Sequence, residues 1–170
     1  MTASAASDGR IRIRILIVDD EPATLLGLSA LLIRRGHYVK TFDKPAQALE
    51  HIAYQDVDYD LVITDYRLPG GISGLDLAKQ VKKHRRRTKT KREAEEEGGR
   101  AARRGGRRGK KGNTKVFLKT AFDRTSLPQL NEPELNETAK SGILDEIILK
   151  PISNDKLIAL IEENFSSKNH

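Results

Sequence analysis

The stretch Leu61-Val62-Ile63-Thr64-Asp65-Tyr66-Arg67-Leu68-Pro69 decides the fold. Four residues, apolar or β-branched, run straight into an aspartate, and a proline and two glycines, Gly70 and Gly71, follow within six positions. A short unbroken run of this kind, bounded by turn residues, suits a parallel strand covered on both faces and opening at its carboxyl end into a loop. In an open α/β sheet that edge is where ligands bind. Taken alone, an aspartate before a Gly/Pro loop is turn chemistry about as often as it is a functional group.

Three other segments bring polar residues to the same edge. Ile15-Leu16-Ile17-Val18 ends in Asp19-Asp20-Glu21, Val116-Phe117-Leu118-Lys119 ends in Thr120-Ala121, and Ile147-Ile148-Leu149 ends in Lys150-Pro151. Each has a bland reading. Asp20 before Glu21-Pro22 could cap a helix, Thr120 could be structural, and Lys150 could be a solvated charge. Their joint order on a chain that alternates strand and helix makes the bland readings the weaker ones.

In this arrangement the chain resembles the receiver domain of two-component response regulators. That family carries an acidic pair after the first strand, here Asp19 and Asp20, and a phosphoacceptor aspartate after the third, here Asp65. A threonine or serine follows the fourth strand, here Thr120, and Lys-Pro follows the fifth, here Lys150-Pro151. The resemblance runs from Ile11 to Phe165 and implies a flavodoxin-like, doubly wound, parallel five-stranded sheet in the order 2-1-3-4-5 with five helices.

Around these strands the helices read from their apolar spacing. Leu25, Leu28, Leu31 and Leu32 recur at helical intervals after Pro22, and Arg34-Arg35-Gly36 closes that helix. A second helix over Pro45 to Ala53 is expected to turn Ala46, Leu49 and Ala53 inward. Leu75, Leu77, Ala78 and Val81 begin a third. A short fourth helix is expected over Glu134 to Lys140, and a last one, capped by Ser153 or Asn154, carries Leu157, Ile158, Leu160, Ile161 and Phe165.

Charge divides the chain. The net charge is +7 over 170 residues, but residues 84–113 hold 13 Lys+Arg against 4 Glu. The body is therefore slightly acidic, and a basic, low-complexity insertion is set between the third helix and the fourth strand. From Lys82 to Lys115 the only apolar side chains are Ala94, Ala101 and Ala102, too few to offset the entropy of ordering. Its first part could extend the third helix as a solvated rod, since Lys89–Glu93, Lys91–Glu95 and Arg92–Glu96 stand four apart. Its glycine-rich part reads as disordered coil. The organisation expected is a flexible extension over 1–10, then a receiver domain over 11–166 interrupted at 84–113, with no second domain after it. There are no cysteines, no apolar signal segment and no run long enough to span a membrane, so a cytoplasmic setting is expected.

The residue types fix the chemistry. Three carboxylates in one hollow repel each other, and a hard divalent cation relieves that repulsion with oxygen ligands. Asp20 and Asp65 are expected to ligate Mg²⁺ directly, with Asp19 acting directly or through water. The resemblance adds the backbone carbonyl of Arg67. It also implies that Asp65 accepts a phosphoryl group from a sensor histidine kinase or histidine phosphotransfer protein, with Lys150 and Thr120 contacting the transferred group. The protein would then be a stand-alone receiver and a phosphoacceptor, not an enzyme, signalling by protein contact. Ile147 falls where the family usually has an aromatic reporter, which puts the family's output step in question for this chain. Arg67 and Phe122 would flank the path of hydrolytic water, and the long segment Asp123 to Asn136 would shape partner access. The alternative is a polyanion- or nucleic-acid-binding protein acting through residues 85–111, by phosphate contacts without base readout. None of His37, His51, His84 and His170 has ligand spacing.

Overall fold

The computed structural model describes residues 11–55, 57–97, 113–121, 137, 138 and 140–166. Five strands, β1 (Arg14–Val18), β2 (Tyr38–Phe42), β3 (Leu61–Asp65), β4 (Lys115–Ala121) and β5 (Glu146–Lys150), form one sheet in the order β2-β1-β3-β4-β5. Every neighbouring pair is parallel. This is the sheet expected from the sequence. The central strand β3 is buried along its whole length, as an unbroken apolar run requires when helices cover both faces.

Alternation along the strands sorts side chains into two cores. Leu16, Val18, Val62, Val116 and Leu118 face α2 (Pro45–Gln55) and α3 (Gly74–Glu97), with Leu75, Leu77, Ala78 and Val81. Ile15, Ile17, Leu61, Ile63, Phe117 and Ile148 face α1 (Pro22–Arg34) and the C-terminal helix (Asn154–Ser166), with Leu28, Leu32, Leu157, Ile158 and Ile161. Each such side chain, fully buried, contributes roughly 1.5–3 kcal/mol.

Caps set where the helices begin. Ser73 and Asp76 exchange bonds at the start of α3: the Ser73 hydroxyl donates to Asp76 (2.7 Å), and the Asp76 N–H donates to Ser73 Oγ (3.1 Å). The Ser73 hydrogen bond, opposed by burial, holds the Asp76 carboxyl below its ordinary pKa. The C-terminal helix is capped by Ser153, whose hydroxyl accepts from the Lys156 N–H at 3.3 Å. At α1 the cap position is Glu21, not Asp20, and Glu21 makes no side-chain cap bond. The helix-cap reading of Asp20 is therefore set aside.

One expectation is corrected in part. In α2 the buried residues are Pro45, Ala48 and Ile52, and Leu49 packs against the same core as expected, while Ala46 and Ala53 are exposed. Small alanines define a helix face poorly, and Ile52 sets the inward side. The first part of the insertion extends the third helix: α3 continues past His84 to Glu97. Residues 98–112, like Phe122, Asp123 to Asn136, His170 and residues 1–10, lie outside the described residues. Of the expected fourth helix, Glu137, Thr138 and Lys140 are helical.

The insertion leaves and returns at one place. Lys82 on α3 donates to the Thr114 carbonyl (2.6 Å) and pairs with Asp145 (3.0 Å). Arg85 Nη1 donates to Thr114 Oγ1 (2.6 Å), and that hydroxyl donates to the Tyr59 carbonyl (2.7 Å). The middle of α3 and the start of β4 are thus fastened together on the amino edge of the sheet, the edge opposite Asp65.

Candidate phosphoacceptor and metal site

β1 and β3 lie side by side with Val18 opposite Thr64, so Asp19 and Asp65 emerge as neighbours at the carboxyl edge. Asp20 comes next, on the loop before α1. One carboxylate oxygen from each of Asp19, Asp20 and Asp65 lies within 4.8 Å of the others. Asp19 is wholly buried and Asp65 nearly so, whereas Asp20 is exposed to solvent. The hollow is thus deep on one side and open on the other. Three hard oxygen donors from three side chains fit a small divalent cation better than a soft or imidazole-seeking one.

Lys150, at the end of β5, reaches across to ion-pair with Asp65. Burial opposes its charge, but the hydrogen bond to Asp65 and the charges of Asp65, Asp19 and Asp20 outweigh that cost. They hold the ammonium pKa above its ordinary value. The peptide bond from Lys150 to Pro151 is cis. Asp65 is held from behind by backbone. The Tyr66 N–H donates to the Lys119 carbonyl (2.7 Å), and the Gly74 N–H donates to the Tyr66 carbonyl (2.9 Å). The start of α3 comes so close that a Cβ on Gly74 would lie 2.0 Å from the Asp65 carbonyl oxygen. Glycine is needed there for space, not for a left-handed backbone.

Thr120 and Arg67 stand differently. β4 runs three residues beyond the apolar run, to Ala121, so Thr120 is a buried strand residue opposite Leu149. It shares the parity of Val116 and Leu118 and so belongs to the α3 side of the sheet, while Asp65, Asp19 and Lys150 share the other side. Arg67 is exposed two residues past Asp65. Ile147 is half-buried against the core shared by Val116 and Leu118.

One residue that sequence reading passed over stands inside the hollow. Lys119 faces Asp65 across β3 and β4, is almost wholly buried, and pairs with Asp19 at 2.5 Å. The signal was present: a lysine in the middle of a fully buried strand must find a carboxylate. The other Asp19 oxygen accepts the Glu21 N–H at 3.0 Å.

Among known proteins, residues 15–94 match the family model described as the response regulator receiver domain. The sensory/regulatory protein RpfC of Xanthomonas campestris pv. campestris is 39% identical over 74 residues, which span 43% of this chain and 10% of that protein. The virulence sensor protein BvgS of Bordetella pertussis is 28% identical over 162 residues, or 95% of this chain and 11% of its own length. The match thus covers about a tenth of the length of these two relatives. A solved response regulator receiver domain protein from Clostridium thermocellum shares the fold with a TM-score of 0.62 at 21% identity, covering 92% of this chain and 96% of that one. No helix among the described residues is long and apolar enough to cross a membrane.

Proposed function

We propose, from the premise that this chain carries a two-component response regulator receiver domain, that Asp65 accepts a phosphoryl group and that the rest of the hollow serves that transfer. The observation that carries this reading is the junction of Asp19, Asp20 and Asp65 at the carboxyl edge, with the Lys150 ammonium on Asp65. A carboxylate oxygen of Asp65 attacks the phosphorus of a phosphohistidine. The new O–P bond forms as the P–N bond breaks, and the departing imidazole takes up a proton. Asp19, Asp20, Asp65 and the Arg67 carbonyl would hold Mg²⁺, whose charge would offset that of the phosphoryl oxygens.

The chain's own residues do the remaining work. Lys150 already sits on the attacking carboxylate and can follow the charge onto the phosphoryl group, which makes positioning and electrostatics the main terms. Phosphorylation replaces one negative charge with nearly two and extends them past the strand ends. There the Thr120 hydroxyl, last but one in β4, can donate to a phosphoryl oxygen from the other side of the sheet. Ile147, opposite Leu118 in the register, cannot report that movement as an aromatic ring would, so the signal passes through the backbone of β4. The donor is a sensor histidine kinase or histidine phosphotransfer protein. The chain acts as a phosphoacceptor, not as a turnover enzyme, and signals by protein contact. The polyanion-binding alternative rests on the composition of residues 85–111 alone.

The test is intact-mass spectrometry after incubation with a small phosphodonor and Mg²⁺. A gain of one phosphoryl group is expected, lost in Asp65→Asn and on omission of the metal. An unchanged mass in the wild-type protein, or an equal gain in Asp65→Asn, would overturn the reading.

A further inference from the structure

β4 is buried from Val116 to Thr120, and Lys119 breaks its apolar run three residues in. Its side chain does not escape to solvent as a long amphipathic chain near a sheet edge could. It turns into the acidic hollow and ends on Asp19, and both partners are almost completely sealed from water. Lys150, by contrast, remains about one-third exposed on Asp65. The hollow therefore holds two cations of different character: one at its open side on the phosphoacceptor, and one at its floor on a carboxylate of the acidic pair.

We infer that Lys119 is a resident counter-cation of the hollow, competing with a divalent cation for Asp19 and so setting how tightly that cation is held. The inference rests on the metal-assisted phosphoacceptor reading above. Two ammonium groups against three carboxylates leave one net negative charge where a cation would enter, and removing Lys119 would leave two. Both Asp19 oxygens are already engaged, one by Lys119 and one by the Glu21 N–H. A divalent cation must therefore share Asp19 with an ammonium it repels, or reach it through water. Lys119 also explains how a buried carboxylate is tolerated in the metal-free protein, since an unpaired buried charge is costly. Lys119 acts through Asp19 and does not itself touch the phosphoryl group. It is a positioning residue.

The experiment is calorimetric titration of the whole chain with Mg²⁺, comparing wild type with Lys119→Met, which keeps most of the side-chain volume and removes the charge. Lys119→Met should bind Mg²⁺ at least about tenfold more tightly, the order expected for removing one like charge from a poorly screened site. Its melting temperature should depend strongly on Mg²⁺, while that of the wild type should depend weakly. A variant that folds only with Mg²⁺ present would support the proposal. Equal or weaker affinity in the variant would overturn it while leaving the phosphoacceptor reading intact; no Mg²⁺ binding in either protein would overturn both. If the variant does not fold under any condition, the wild type decides. Its Lys119 ammonium resonance should shift on addition of Mg²⁺ in step with the Asp65 amide, and an unmoved ammonium beside a shifting amide would sink the competition.

Discussion

Gly74→Ala should destabilise this protein, although the same change at the start of most helices is neutral or favourable. Gly74 opens α3, where its N–H donates to the Tyr66 carbonyl at 2.9 Å. A Cβ there would lie 2.0 Å from the Asp65 carbonyl oxygen, 2.9 Å from the Asp65 carbonyl carbon and 3.0 Å from Leu118 Cδ1. Real Cβ atoms essentially never come closer than 3.0 Å, so helix and strand must part by roughly 1 Å. Two of the three obstacles are backbone and cannot rotate away. Overpacking costs about 1–3 kcal/mol, and a backbone obstacle places this case near the upper figure. Without the clash, reduced freedom of the unfolded chain would make alanine stabilising by about 0.4–1 kcal/mol. The two outcomes have opposite sign. At about 2–4 °C per kcal/mol for a chain of this size, the melting temperature should fall by roughly 6–12 °C. Thermal unfolding followed by circular dichroism reads this directly, and phosphoryl uptake at Asp65 should slow in the folded fraction because the obstacle is the acceptor's own backbone. A variant melting at or above the wild-type temperature would refute the close approach and the placement of α3 against the site.

Other parts of the fold make three more outcomes checkable. Replacing residues 86–112 with a short Gly/Ser linker should leave the fold and phosphoryl uptake in place, with stability changed by about 1 kcal/mol or less, because Arg85 and Thr114 already meet at 2.6 Å; loss of cooperative urea unfolding would contradict this. Lys82→Met should cost about 2 kcal/mol in urea unfolding, less than the roughly 3–5 kcal/mol of a fully buried pair because Asp145 is partly exposed, and a cost near zero would show that the pair is idle. Burial, the largest cause at both, together with Arg35 beside His37 and Lys40 beside His51, outweighs the attraction of Glu162 for His37 and holds both imidazoles below the ordinary value of 6.5. A lowered folded pKa favours the neutral ring, so stability should be full above about pH 6.5 and decline as the pH falls through the folded values. The urea midpoint should therefore drop between about pH 7.5 and about pH 5.5, and less so in a His37→Gln/His51→Gln double variant; an equal drop in that variant would assign the effect elsewhere.

The parts of the fold legible in the sequence were those written as patterns of kind. Apolar runs of strand length marked β1, β3, β4 and β5, and the polar residues ending them marked Asp19, Asp20, Asp65 and Lys150, because strand ends on one edge of a parallel sheet must be neighbours. What escaped was written as geometry between elements. Lys119 was read only as the last residue of a strand segment, and it took the register to set it opposite Asp65 and its parity to aim it at Asp19. The need for glycine at position 74 was not legible, since the closeness of α3 to β3 is a property of two backbones together. The inward face of α2 was misplaced because alanines at 46, 48 and 53 weigh nearly alike and only Ile52 breaks the tie. For the length of α3 the sequence offered only the i,i+4 spacing of opposite charges, since the segment past Val81 has almost no apolar side chains to mark a buried face.

The central claim, that Asp65 and not its acidic neighbours carries the phosphoryl group, is tested most directly by trapping. Protein phosphorylated with a small donor and Mg²⁺ is reduced with borohydride, which converts an aspartyl phosphate to homoserine, and the product is mapped by peptide mass spectrometry. Homoserine at position 65, with Asp19 and Asp20 intact, is the expected result. Homoserine at position 19 or 20, or at no carboxylate despite phosphoryl uptake, would contradict it.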